Sequence, residues 1–308
     1  MRTITVNAKT RLFAILGDPI AHSMSPVIMN SAFDRLGMDC VFLALRADLA
    51  SFDRVMEALR LVELEGYVFT MPVKEAALRH MDALGDEAQI IGAVNCAVSR
   101  DGVLTGYNTD SSGFWSAVQE GRGEARPIRK ALILGAGGFA RAAAAQAALQ
   151  GVEELVVSNP LSHTAFVESF RRFADRIALR CPRTRLRLLD WDPALWRREL
   201  PACGLVANAT PNGMRDQGDL DRIFPYGAAA PGTLFFDAVY EPPVTRFLKR
   251  AGALGFSTVA GLDLLAHQGV CSFAHWTGVQ VPPEQMRRDV LAFWAAREGQ
   301  QTEEGEGI

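Results

Sequence analysis

Residues 131–134, Ala-Leu-Ile-Leu, run directly into Gly135, Ala136, Gly137, Gly138, Phe139 and Ala140, and then into an alanine-rich stretch ending at Leu149. An apolar strand, a glycine turn and a run of strong helix formers fit G-x-G-x-x-[GA], with Gly135, Gly137 and Ala140 at the fixed places. Gly135 permits a turn that a side chain would obstruct, Gly137 lets backbone approach a pyrophosphate, and Ala140 keeps the helix close to its strand. The N–H groups opening the helix then face the phosphates, and the helix dipole favours their charge. This is dinucleotide-binding chemistry. The same residues could form a glycine turn in an ordinary α/β unit, but the flanking strand and helix favour the functional reading.

Other polar residues sit where apolar runs end. Ser23 and Ser25 follow the run at 11–16. Ser25 before Pro26 has the form of a helix N-cap, and two hydroxyls two residues apart could also hold a carboxylate. Thr70 and Lys74 flank Pro72, and a lone lysine is ordinarily solvated. Asn95 interrupts the apolar Ile91-Gly92-Ala93-Val94 and Cys96, so its amide must bond backbone or ligand. Asp110, after Asn108 and Thr109, has the form of a helix N-cap. His22 and His267 lack ligand-like spacing, and no metal site is assigned.

Alternating strand and helix signals position these residues. Strands are expected at 11–16, 41–45, 66–70, 90–98 and 103–107, with Asp101-Gly102 marking a turn between the last two. Helices are expected from Ser25, at 48–61, from Val73 and after Asp110. The polar stretch 121–130 reads as a linker. Beyond it, strands at 131–134, 155–157, 205–208, 234–238 and 257–259 with helices between them make a doubly wound parallel sheet. An apolar helix at 262–276 returns towards the first part of the chain.

The 308 residues suffice for about two domains, and 49% hydrophobic with 22% charged content is that of a globular protein. A net charge of −3 gives no reason to expect a nucleic-acid or membrane partner. The Arg-rich piece 171–187 is expected to be a solvated helix face. Cys40, Cys96, Cys181, Cys203 and Cys271 are scattered and odd in number, as expected of reduced thiols in a cytoplasmic protein. No run has the length and apolarity of a membrane span or a signal peptide.

The motifs GDPIAHSMSP, GYVFTMPVK, IGAVNC, GYNTDSSG, LGAGGFARA, NATPNGM, DAVYEPPVT and GLDLLAHQG occur in this order from about Leu12 to Pro282. Together they resemble the shikimate dehydrogenase family. The resemblance implies two α/β domains, the second a Rossmann sheet, with a substrate cleft between them. It places a substrate-binding domain at 1–110 plus 262–295 and a dinucleotide-binding domain at 111–261, while the end of the chain, 296–308, carries Glu, Gln and Gly and is expected to be a disordered tail. It implies reversible hydride transfer between NAD(P) and a ring hydroxyl of shikimate, with Lys74 and Asp110 as the catalytic pair. Ser23, Ser25, Thr70, Asn95, Tyr240 and Gln268 would hold the substrate. Gly135, Ala136, Gly137, Gly138, Phe139, Ala140, Asn159, Asn208, Ala209, Thr210, Ala238 and Gly261 would line the cofactor. The implied partner is a small carboxylic acid, and the assembly a monomer or homodimer.

Three departures point towards a paralogue acting on quinate or another cyclic hydroxy acid. Val68-Phe69 replace the usual Asn-Val before Thr70, removing a polar contact and adding a ring. Met29-Asn30 replace His-Asn. Ser158, Asn159, Pro160, Leu161 and Ser162 replace the Asn-Arg-Thr that meets the NADP 2′-phosphate, and no acid is present there for a ribose 2′-OH. The family favours NADP, whereas these residues lean towards NAD. A ligand sensor without catalysis is disfavoured by the retained Lys74 and Asp110. A folate-linked methylene dehydrogenase is disfavoured by Ser23, Ser25 and the Asn108-Thr109-Asp110 motif.

Overall fold

The computed structural model describes residues 6–122, 127–216, 218 and 220–305, with side chains as far as Arg297. In chain order its elements are β1 (Arg11–Gly17), α1 (Ser25–Arg35), β2 (Cys40–Arg46), α2 (Phe52–Leu61), β3 (Gly66–Phe69), β4 (Ala83–Leu84), α3 (Asp86–Ile91), β5 (Cys96–Arg100), β6 (Val103–Tyr107) and α4 (Thr109–Arg122). They continue with β7 (Lys130–Leu134), α5 (Gly138–Leu149), β8 (Glu154–Ser158), α6 (Thr164–Arg180), β9 (Arg185–Leu189), α7 (Pro193–Glu199), β10 (Leu205–Asn208), α8 (Leu220–Ile223), β11 (Leu234–Asp237), α9 (Arg246–Ala253), β12 (Ser257–Val259), α10 (Gly261–Thr277) and α11 (Pro283–Gly305).

The described chain divides into two compact units. The first takes the residues up to Gly85, Ala93–Thr109 and those from Gly269 onward; the second takes Asp86–Gly92 and Asp110–Gln268. The first unit carries the sheet ordered β2-β1-β3-β5-β6-β4. Its β2, β1 and β3 are parallel, while β5 runs antiparallel to both β3 and β6. The hairpin turn is made by Asp101 and Gly102, with φ of 50° and 78°, as the Asp-Gly pair predicts. Phe13, Phe33, Phe273 and Trp276 form an aromatic core with centroids 5.1–5.3 Å apart. The Trp276 indole N–H donates to the Ala97 carbonyl at 3.0 Å.

The second unit carries β12-β11-β10-β7-β8-β9, every neighbouring pair parallel. Its central strands β7, β8, β10 and β11 are mostly buried and read as near-continuous apolar runs, as a parallel sheet covered on both faces requires, whereas the edge strands β9 and β12 are partly exposed. The switch in strand order falls beside β7, whose C-terminal end leads into the glycine turn.

Several expectations from sequence are corrected. The run 90–98 is not one strand: Asp86–Ile91 is helical and the strand begins at Cys96. Gly92, at φ 72°, ends that helix, and the Arg176 guanidinium donates to the Ile90 and Ile91 carbonyls at 2.7 and 3.0 Å. The stretch after Val73 forms a 3-10 turn at Ala76–His80 instead of an α-helix. The Arg-rich piece 171–187 is not one solvated face. It contains the end of α6 and the start of β9, with Arg176 spent on α3 and Arg187 paired with Glu154 and Glu199. Helix α11 continues to Gly305, past the residue where the tail was expected to begin. Of the expected linker, residues 123–126 lie outside the described residues, as do residues 1–5 and 306–308 of the termini.

Among the described residues, no helix is long and apolar enough to cross a membrane, and no cluster of His, Cys, Asp or Glu could hold a metal ion. The five cysteines are free thiols.

Candidate active site

In the first unit the sequence-predicted residues gather at the C-terminal ends of β1 and β3. The segment after β3 packs against the end of β1 so closely that a Cβ on Gly17 would lie 2.3 Å from Thr70 Cγ2 and 2.7 Å from the Met71 carbonyl oxygen. The Thr70 N–H donates to the Leu16 carbonyl, and the Asp18 N–H to the Met71 carbonyl. Gly17 therefore lets the loop bearing Ser23 and the loop bearing Thr70 and Lys74 start side by side. Met24, not Ser25, occupies the cap position of α1, and Ser25 is the first helical residue, followed by Pro26. The Ser25 hydroxyl is consequently not spent on capping. Ser25 is buried, and its backbone N–H donates to Ser23 Oγ at 3.3 Å.

Asn95 is 1% exposed and its orientation is fixed. Its Oδ1 accepts from the Thr109 N–H at 2.6 Å and from Thr109 Oγ1 at 3.2 Å. The Nδ2 donors are left with no partner among the described residues, so they face outward from this bond. Backbone bonds tie the same segment to the lysine loop: Val94 N–H donates to the Lys74 carbonyl at 2.9 Å, and Phe69 N–H to the Asn95 carbonyl at 2.8 Å. Asn108 Nδ2 donates to the Ala93 carbonyl, and Thr109 Oγ1 pairs with Ser272 Oγ at 2.9 Å. Asp110 follows as the second residue of α4, where the helix dipole favours a carboxylate, so it lies inside the helix instead of at the expected cap. Phe69, the ring added before Thr70, is fully buried against Phe52 and Tyr67.

In the second unit the predicted residues form a row across the C-terminal ends of the parallel strands. Gly135 has φ 104°, and a Cβ there would lie 2.9 Å from Thr210 Cγ2 and 3.0 Å from the Ala209 carbonyl oxygen. Its N–H donates to the Ser158 carbonyl at 2.7 Å. Gly137 caps α5 without any side-chain cap bond, and a Cβ there would meet nothing nearer than Phe166 at 3.9 Å. Open space therefore lies over uncapped helix N–H groups, with Ala136 and Ala140 buried beneath, and these residues fit a dinucleotide pyrophosphate. Phe139 stacks on Phe236. The Ala238 N–H donates to the Asn208 carbonyl. Gly261 opens α10 so close to β11's exit that a Cβ would lie 2.5 Å from both the Ala238 and the Val239 carbonyl oxygens.

Asn208 is fully buried and its amide is spent locally. It donates to the Asn212 carbonyl and to Asp237, and it accepts from the Thr210 N–H and hydroxyl. It can shape the 209–212 loop but offers no free polar atom. Asn159 is buried and donates to the Pro160 carbonyl. Tyr240 lies two residues beyond Ala238, and burial, helped by Glu241, pushes its phenol up. Gln268 sits on α10 where α4 approaches closely: a Cβ on Gly113 would lie 2.6 Å from the Gln268 backbone nitrogen.

Residues 15–97 match the family model for the shikimate dehydrogenase substrate binding domain, and residues 261–291 match that for the shikimate 5′-dehydrogenase C-terminal domain. The shikimate dehydrogenase (NADP(+)) of Symbiobacterium thermophilum is 36% identical, covering 97% of this chain and 99% of its own. The chain belongs to the shikimate dehydrogenase family. A family structure from Listeria monocytogenes, shikimate 5-dehydrogenase in complex with shikimate and NAD, superposes with a TM-score of 0.86 at 32% identity, covering 94% of this chain and 99% of that one. Quinate dehydrogenase from Corynebacterium glutamicum, in complex with NAD, gives 0.81 at 28% identity, covering 92% of this chain and 99% of that one.

Two acids that sequence reasoning passed over belong to this row. Asp237, fully buried at the end of β11, accepts from Asn208 Nδ2 at 2.9 Å, the Val239 N–H at 3.0 Å and the Thr245 hydroxyl at 2.6 Å. Burial raises its carboxyl to about 7 against those three donors. Asp190, after β9, is exposed, and Oδ1 accepts from the Leu161 and Trp191 N–H groups at 3.0 and 2.9 Å. Asp237 had a signal in the DAVY motif. Asp190 had none, because β9 itself was hidden in the Arg-rich piece.

Proposed function

We propose that this chain is an NAD(P)-dependent dehydrogenase of shikimate or a close cyclic hydroxy acid. Residues 1–110 plus 262–295 would form the substrate-binding domain, and 111–261 the dinucleotide-binding domain. The observation that carries the reading is a chain of bonds: Lys74 carbonyl to Val94 N–H, then Asn95 Oδ1 to Thr109 N–H, and Asp110 next along the backbone. It fixes the lysine loop relative to the residue before Asp110, as a catalytic pair requires.

Removing hydride from a secondary alcohol requires the hydroxyl proton to leave in the same process. Lys74 takes that proton, and returns it to the developing alkoxide in the reverse direction. The Asp110 carboxylate orients the ammonium. Ser23 and Ser25 donate to the substrate carboxylate, and the Nδ2 of Asn95, aimed by Thr109, donates to a ring hydroxyl. Thr70, Gln268 and Tyr240 complete the contacts to the acid. Gly135 to Ala140, with Ala209, Thr210, Ala238 and Gly261, hold a dinucleotide whose nicotinamide, when bound, accepts or supplies the hydride.

The experiment is a matrix of shikimate and quinate against NAD and NADP, scored by kcat/KM. Turnover of shikimate with either cofactor supports the reading; turnover of quinate alone shifts it to the quinate enzyme. No turnover with any combination overturns it. Segment 158–162 favours NAD used at least as well as NADP, since Pro160 stands where an arginine would meet the phosphate and has neither N–H nor donor side chain. A preference for NADP above about 100-fold, roughly 2.7 kcal/mol, overturns that part. A cytoplasmic location and a monomer or homodimer belong to the same proposal.

A further inference from the structure

Segment 158–162 lacks the acid that holds an adenosine ribose 2′-OH in NAD-using Rossmann sites, which normally follows the glycine turn by about 20 residues. Asn159 occupies that place and carries no charge. The neighbouring strand β9 ends at Leu189, and Asp190 follows it. Asp190 Oδ1 holds the N–H of Leu161, two residues beyond Asn159, at 3.0 Å. The same oxygen takes the Trp191 N–H, so Oδ2 has no hydrogen-bond partner among the described residues.

The remaining donors of the segment are largely used. Asn159 N–H donates to the Leu189 carbonyl, His163 N–H to the Pro160 carbonyl, and Thr164 N–H to the Ser162 carbonyl. Pro160 has no N–H, which leaves that of Ser162 for an incoming anion. The N-terminus of α6 brings about half a positive charge, whereas Asp190 brings a full negative one. The backbone donors from Leu161 and Trp191 hold that carboxyl below its ordinary range, so it stays ionised at neutral pH.

We infer that Asp190 is the cofactor-specificity residue of this enzyme: its free Oδ2 accepts the adenosine ribose 2′-OH of NAD, and its charge repels the 2′-phosphate of NADP. The acid that β8 lacks is thus supplied from β9. This rests on the dinucleotide reading of the glycine turn.

Direct titration of NAD and NADP into the wild type, Asp190→Asn and Asp190→Ser by calorimetry tests it. Asparagine keeps an oxygen for the Leu161 and Trp191 N–H groups, and serine keeps a hydroxyl if the amide disturbs folding. The wild type is expected to bind NAD more tightly. Each variant is expected to lower the ratio of the NADP to the NAD dissociation constant about tenfold or more, chiefly through tighter NADP binding. A variant that weakens or preserves both affinities equally, while the wild type binds NAD, overturns the role of Asp190 alone. A wild type that binds neither nucleotide overturns the dinucleotide reading itself.

Discussion

Lys74 is half-buried on a loop whose backbone is pinned by Val94. Its loss should therefore remove a proton acceptor without collapsing the loop. Lys74→Ala is expected to lower kcat by about 10²–10⁴-fold while substrate affinity stays within roughly tenfold. Steady-state kinetics with ligand titration separates the two, and a variant retaining most of its kcat would take Lys74 out of the mechanism. Asp237 makes a prediction of different kind. Its folded carboxyl titrates near 7, above the unfolded value of about 3.9, so the folded state binds the extra proton between those pH values. Stability contributed by this group is therefore greatest at low pH and falls as pH rises through the folded value. Asp237→Asn removes the titration. Between about pH 5 and 8 the stability of the wild type relative to this variant should fall by roughly 2–3 kcal/mol, read from urea melts. A constant difference across that range would show that Asp237 is ionised throughout. Both residues stood in quoted motifs, but only the lysine announced itself. Asp237 looks like any strand-end acid until its three donors are placed around it.

At the level of elements, close approach explains why certain glycines could be read and others could not. The turn glycines at 135 and 137 were legible because a local pattern predicts their chemistry. Gly261 was legible only through the resemblance, since its reason is the carbonyls of Ala238 and Val239 from a distant strand. Gly261→Ala pushes a methyl into rigid backbone and should cost about 1–3 kcal/mol, with weaker nucleotide binding. Differential scanning calorimetry checks the first and nucleotide titration the second. Asn30 illustrates the opposite case, a motif residue whose use was hidden. Its amide donates to the Phe42 carbonyl at 2.9 Å and accepts the Phe42 N–H at 2.8 Å, covering the edge strand β2 like a short partner. Asn30→Ala should destabilise the protein by about 1–2 kcal/mol and promote edge-to-edge association. Sedimentation velocity across protein concentration would detect it, and an unchanged monomer fraction would dismiss the second claim. Strand β9 was missed because arginines at 185 and 187 obscure its apolar alternation, and α3 because Ile90 and Ile91 suit a strand equally well.

For the whole molecule, the two ligands should leave separate footprints. Hydrogen exchange with NAD bound is expected to protect residues 135–140, 208–210 and 238–239, whereas a shikimate-like acid protects 23–25, 70–74 and 95. The acid protecting only the glycine turn would reverse the assignment of ligands to units. The alternation that gave the α/β class was legible along most of the chain, because it is written in local periodicity, with α3 and β9 the exceptions. The limits of the two units were not, because they depend on which distant residues a segment packs against. Asp86–Gly92 joins the second unit although its neighbours on both sides belong to the first.

The return of α10 to the first unit sets an order of events during synthesis. The second unit needs nothing beyond Gln268, whereas the first waits for residues near the C-terminus. Until Trp276 leaves the ribosome, the Phe13 ring and the Ala97 carbonyl lack the partner that covers them in the finished protein. Until Asp289 follows, Arg35 has no carboxylate to pair with. The part of the chain translated first is thus the last to close, and a chain halted once Gln268 has emerged holds a complete second unit while the first sheet is still open.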